Sequence, residues 1–215
     1  MSVLHRSTLP NAITVARILM APAVFFLMFE PDFSARFVAF WLFVVAGVSD
    51  LIDGTLARKY GWISDFGKLV DPIADKLLLV ATFVPFYVIS HRPDAVPIPL
   101  WRTLPLWVLL VIFGREVLIT LIRALAARRG IVIPAGKAGK QKAVSQNVFI
   151  GTAICWYALQ SAAREHGWGG PDWNAWQVFH GTVLVVSLAL ALALTVYSLF
   201  VYLWGWRSIV RQSLA

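Results

Sequence analysis

Four carboxylates interrupt an otherwise apolar stretch of this chain, at Asp50, Asp53, Asp71 and Asp75. The stretch reads Asp50-Leu-Ile-Asp53-Gly54-Thr-Leu-Ala57-Arg58, then eight residues, then Gly67-Lys-Leu-Val-Asp71-Pro-Ile-Ala-Asp75. In hydrocarbon each charge costs about 2.5–3.5 kcal/mol on insertion scales, so four without partners would cost on the order of 10 kcal/mol. A bound cation offsets such a cost. Carboxylate oxygens are hard ligands, and a set made only of them suits Mg2+ or Mn2+, not zinc or copper. Four can hold two ions roughly 3.5–4 Å apart, an arrangement suited to phosphoryl displacement. Helix capping or pairing with Arg58, Lys68 and Lys76 accounts for one or two of these aspartates, with Asp65 as the plainest cap, but not for four in register.

The register is helical. Asp50, Asp53, Gly54, Ala57 and Arg58 stand at i, i+3, i+4, i+7 and i+8, a single stripe at 3.6 residues per turn. Gly67, Asp71 and Asp75 form a second stripe at i, i+4 and i+8. Two adjacent antiparallel helices would turn these stripes towards one cavity, and Gly54 and Ala57 would leave room for a substrate near the backbone.

The elements that carry the stripes are expected to be membrane spans. The chain is 59% hydrophobic and only 14% charged, outside the usual soluble range. Six apolar runs, at about 12–29, 35–57, 65–90, 106–127, 143–162 and 176–204, are long enough to cross a bilayer. The expectation is an all-α integral membrane protein of six transmembrane helices, one domain over 1–215 with a short lead at 1–11, its site at the cytoplasmic end of helices 2 and 3. The first run is read as a retained span because no small-residue cleavage site follows it. A basic loop is expected from Arg128 to Lys142. Pro72 is expected to kink the third span.

Net charge is +8, but Lys and Arg gather between particular runs, which reads as a topology signal and not as a nucleic-acid footprint. Arg6, Arg58, Lys59, Lys68, the Arg128–Lys142 cluster, Arg207 and Arg211 fall on one side; Arg36, Arg92, Arg102 and Arg164 fall on the other. The positive-inside rule puts both termini and the aspartates on the cytoplasmic side of the cell membrane. Trp101, Trp107, Trp168, Trp173, Trp176, Trp204 and Trp206 lie near run ends, as interfacial anchors do. Cys155 is the only cysteine, so an intrachain disulfide is excluded. His5, His91, His166 and His180 lie away from the aspartates, and no Ser-His or Cys-His pair is called for. A divalent-cation channel would need polar residues continuing past Asp75, where the chain instead runs Leu77-Leu-Leu-Val80-Ala81.

The eight fixed positions of the string D-x2-D-G-x2-A-R-x8-G-x3-D-x3-D resemble the signature of the CDP-alcohol phosphotransferase family, without a departure. The resemblance implies transfer of a phosphatidyl group from CDP-diacylglycerol to an alcohol with release of CMP. It implies that Asp50, Asp53, Asp71 and Asp75 hold two Mg2+ or Mn2+ ions, that Asp75 is the general base, and that Gly54, Ala57, Arg58 and Gly67 contact the CDP moiety. It also implies a homodimer among membrane lipids.

The acceptor needs its own recognition. Arg115 and Arg123, eight apart, share a helical face, and Lys137, Lys140 and Lys142 follow near the membrane surface. Together they suit a phosphate-bearing acceptor, although basic groups here also set topology or attract anionic headgroups. Pro10-Asn11-Ala-Ile-Thr14-Val-Ala-Arg17, Arg115-Glu116 with Arg123, and Gly139-Lys140-Gln-Lys142 are similar to the branch of the family whose acceptor is sn-glycerol 3-phosphate; Ala143 stands where that branch often has threonine.

Overall fold

The computed structural model describes the backbone of residues 8–60, 65–98, 101–128 and 136–213, and the side chains of 11–50, 70–98, 101–128 and 136–205. Its helices are α1 (Thr8–Phe29), α2 (Phe33–Tyr60), α3 (Asp65–Ser90), α4 (Leu106–Arg128), α5 (Lys137–His166) and α6 (Pro171–Ser213). Their ends follow local chemistry. Asp32 Oδ2 accepts the Ala35 amide at 2.9 Å and caps α2. α5 stops at Gly167, whose φ of +64° is open to glycine at little cost, and the Trp168 amide closes back onto Ala163 O at 2.9 Å. Pro171 opens α6, with Asp172 in its first turn. α3 runs unbroken through Pro72 and Pro85.

Among the described residues there are six helices, but not the expected six spans. Among the described residues only four helices contain a stretch long and apolar enough to cross a membrane: Asn11–Phe29, Phe33–Asp50, Val70–Ser90 and Pro171–Gly205. In α4, every stretch of membrane-crossing length includes Arg115, Glu116 and Arg123. In α5, Ser145, Gln146, Gln160 and Ser161 dilute the apolar run, and all four are buried against protein. The Lys137–Lys142 segment, expected as loop, forms the first turns of α5.

Two compact units make up the chain: Met1–Val96 with Ala153–Gln177, and Pro97–Thr152 with Val178–Ala215. In the first, α1 packs along both α2 and α3. Ala21 of α1, Ala39 and Ala46 of α2 and Ala74 of α3 are all buried, and small residues let helix backbones approach closely. Val24, Met28, Phe43, Phe83 and Phe86 fill the rest of that core. Leu19, Phe26, Trp41 and Val45 point outwards, an apolar surface suited to lipid. In the second unit Ile112 and Ile119 of α4, Ile150 of α5 and Leu188 and Ala191 of α6 are buried, and Gln146 donates to Thr195 Oγ1 at 3.1 Å inside that core. The long apolar helices make this a multi-pass membrane protein.

Candidate active site

The aspartates meet on α1. Thr14 and Arg17, three apart, share one face of that helix, and both are buried. Arg17, 1% exposed, places Nη1 2.7 Å from Asp50 Oδ1 and 2.9 Å from Asp75 Oδ1. Thr14 donates its hydroxyl to Asp71 Oδ1 at 2.7 Å. One short stretch of α1 therefore gathers a carboxylate from the end of α2 and two from the start of α3. The Asp50 and Asp75 side chains remain 43% and 57% exposed, so each is held from beneath and open above.

Among the described residues no three His, Cys, Asp or Glu side chains form a closed metal cage. Asp53, Gly54, Ala57 and Arg58 lie on the α2 backbone and Gly67 on that of α3, with their side chains outside the described residues. The donor set nevertheless fits a hard divalent cation. It consists of carboxylate oxygens only, and the single charge of Arg17 balances one of the three that α1 gathers.

Neither Arg17 nor Thr14 is among the site residues expected from sequence. The available signal was an arginine inside an apolar run, which needs a partner or an anionic ligand. Spacing along the chain does not name that partner, because Thr14 and Asp71 are 57 residues apart and Arg17 and Asp75 are 58 apart.

The expected acceptor residues fall in the second unit. Glu116 Oε1 accepts Lys142 Nζ at 2.6 Å and Arg115 Nη1 at 2.9 Å. Lys142 is buried, turned inwards onto α4, whereas Lys137 and Lys140 are exposed at the start of α5. Arg123 is exposed, with its guanidinium 5.5 Å from the Tyr202 ring centroid, within cation–π range. Arg115 and Lys142 are thus brought together by a shared carboxylate, and Arg123 is placed on an aromatic ring of α6. His91, His166 and His180 each bond a backbone carbonyl, of Tyr87, Ala162 and Thr152. His5 lies outside the described residues.

The profile of the CDP-alcohol phosphatidyltransferase family matches residues 7–207. The chain belongs to that family. It is 36% identical over 151 residues to the "Probable phosphatidylglycerophosphate synthase" of Mycobacterium tuberculosis strain H37Rv, covering 69% of this chain and 66% of the relative. The "CDP-diacylglycerol--glycerol-3-phosphate 3-phosphatidyltransferase" of Rickettsia typhi is 33% identical over 138 residues, 64% of this chain and 71% of the relative. The "Cardiolipin synthase (CMP-forming)" of Streptomyces coelicolor is 34% identical over 131 residues, 59% and 55% of the two chains. The chain thus spans between 55% and 71% of the length of these three curated relatives. In this member of the family, Arg17 of α1 ties an aspartate of α2 to one of α3.

Proposed function

We propose that this chain transfers a phosphatidyl group from CDP-diacylglycerol to sn-glycerol 3-phosphate, giving phosphatidylglycerophosphate and CMP. The observation that carries the reading is the gathering of Asp50, Asp71 and Asp75 on Thr14 and Arg17 at one end of the first unit. Family membership and the Mycobacterium and Rickettsia relatives support it.

In this reading Asp50, Asp53, Asp71 and Asp75 hold two Mg2+ or Mn2+ ions. Bound there, the ions supply charge neutralisation and polarisation at the pyrophosphate. Gly54, Ala57, Arg58 and Gly67 receive the CDP end of the lipid. The Asp75 carboxylate takes the proton of the acceptor hydroxyl as that oxygen bonds to the β-phosphorus and the bond to CMP breaks. Arg17 holds Asp75 and Asp50 in place during that transfer. Arg115, Arg123, Lys137, Lys140 and Lys142 bind the acceptor phosphate, with Glu116 keeping Arg115 and Lys142 in position. Arg58, Lys59 and Lys68 beside the aspartates, with Arg207 and Arg211 near the chain end, support a cytoplasmic site in the cell membrane. The working unit is a homodimer.

The Streptomyces relative, named a cardiolipin synthase (CMP-forming), favours a second reading, cardiolipin synthesis on the same site. Purified protein supplied with CDP-diacylglycerol and a panel of acceptors separates the two. CMP release is expected with glycerol 3-phosphate; release with phosphatidylglycerol, serine or inositol phosphate instead would refute the acceptor assignment.

A further inference from the structure

The first unit has a second polar cluster at its other end. Arg92 donates to Phe29 O at 3.4 Å and lies 5.7 Å from the Phe29 ring centroid. Phe29 closes α1 twelve residues after Arg17, which is about 18 Å along the helix axis. The apolar stretch Asn11–Phe29 holds both positions, Arg17 in its first half and Phe29 at its end. A cavity of about 30 Å³ opens there, lined by Arg36, Arg92, Arg164, Tyr157 and Gln160 among others, with Asp94 as its one lining carboxylate.

Three guanidiniums and one carboxylate line the cavity, with Asp32 acting on Arg36 from outside the lining, and Asp94 is already engaged, since Arg164 donates to its backbone oxygen and places Nη1 3.5 Å from Oδ2. Arg36 is 7% exposed, and its Nη1 donates to Ser161 Oγ at 2.8 Å and Tyr157 O at 3.2 Å. Its Nε, the Tyr157 hydroxyl and Gln160 Nε2 are buried with no hydrogen-bond partner. All three are hydrogen-bond donors of residues that line the cavity, and a buried donor left unmade costs about 1–3 kcal/mol. The missing component is an acceptor carrying negative charge. The volume, roughly two to three times what one water needs, takes a single oxyanion group and excludes a nucleotide. Trp173 stacks on Trp176 at 4.8 Å and Trp176 on Trp156 at 6.0 Å in the same unit, and such aromatic clusters sit at headgroup level.

We propose that this cavity is a binding site for a phosphate-class oxyanion, at the membrane face opposite the aspartates. Such an ion gives the lining donors a charged acceptor and relieves the mutual repulsion of Arg36, Arg92 and Arg164. The group comes either from a phospholipid headgroup of that leaflet or from free phosphate. The site is independent of the acceptor reading given above.

The test is thermal unfolding of the full-length protein in a phosphate-free maltoside detergent at fixed ionic strength. Sodium phosphate and short-chain phosphatidylglycerol are titrated separately into wild type, R92Q and R164Q, two outer positions that leave the buried Arg36 contacts intact. Arg123→Ala serves as a control for phosphate bound in the second unit. A rise in midpoint is expected in wild type and in the control, with the half-saturating concentration about tenfold higher in R92Q and R164Q. A response to both probes identifies a site that takes free phosphate, and a response to phosphatidylglycerol alone identifies a headgroup site. Equal titrations in wild type, R92Q and R164Q, or no response to either probe, would overturn the proposal and leave a cavity filled by water.

Discussion

Replacing Arg17 by methionine removes a guanidinium that bridges two helices while keeping the length and apolar bulk of the side chain. Both carboxylates lie against the same Nη1 atom, at 2.7 and 2.9 Å, so their near oxygens are at most about 5.6 Å apart. At that distance and an effective dielectric of about 20, two negative charges repel by about 3 kcal/mol. Because the Asp50 and Asp75 side chains are 43% and 57% exposed, solvent screens this towards about 1 kcal/mol. Loss of the charge-assisted hydrogen bonds adds a similar amount. The expected cost is about 2 kcal/mol, or about 4–8 °C in unfolding midpoint for a chain of this length. The decisive assay is the midpoint of R17M against wild type in chelator and again with added Mg2+ or Mn2+, together with CMP release. If Arg17 balances charge among the aspartates, the deficit is largest in chelator and shrinks when a divalent cation supplies the missing positive charge. Turnover stays depressed by tenfold or more because Asp75 has lost its positioning contact. An unchanged midpoint, or a deficit indifferent to divalent cations, would refute the reasoning.

Asp75→Asn keeps shape but removes the proton acceptor, so CMP release should fall at least about 100-fold with the unfolding midpoint preserved; turnover within a few-fold of wild type would remove Asp75 as the base. Chelation of divalent cations should abolish CMP release, with Mg2+ or Mn2+ restoring it and Ca2+ restoring less because of its larger, looser coordination; activity that survives exhaustive chelation contradicts the carboxylate site. Lys142→Met leaves Glu116 with Arg115 alone in a largely buried setting and should destabilise by about 2–3 kcal/mol, while the double variant with Glu116→Gln should cost less than the two singles combined by about 1–3 kcal/mol. Strict additivity in the unfolding midpoints would show that the contact carries no coupling.

Much of the molecule follows from local spacing. The run 65–90 coincides with α3, and the aspartate stripes lie on the helices whose phase defines them, because a 3.6-residue period is written into consecutive residues. Helix ends were less legible. The start of α5 lies at Lys137 because Lys, Ala and Gln continue a helix as readily as a polar loop, and only packing onto the second unit's core distinguishes them. The number of crossings is not legible from local pattern for a related reason. Helical periodicity identifies α4 and α5, but Arg115, Glu116 and Arg123 on one, and the buried Ser and Gln residues of the other, match protein surroundings better than lipid.

The chain alone specified the helical runs, the two carboxylate stripes, each within about two turns, and the family motif that joins them over Asp50 to Asp75. Tertiary structure decided what those carboxylates meet. It brought Thr14 to Asp71 and Arg17 to both Asp50 and Asp75, turned Lys142 inwards onto Glu116, and left three donors open around Arg36 at the far end. The physical reason is range. Backbone hydrogen bonds fix a helix from its own neighbours, whereas an ion pair between helices depends on how small residues such as Ala21, Ala39 and Ala74 let the backbones approach, and no local pattern contains that distance.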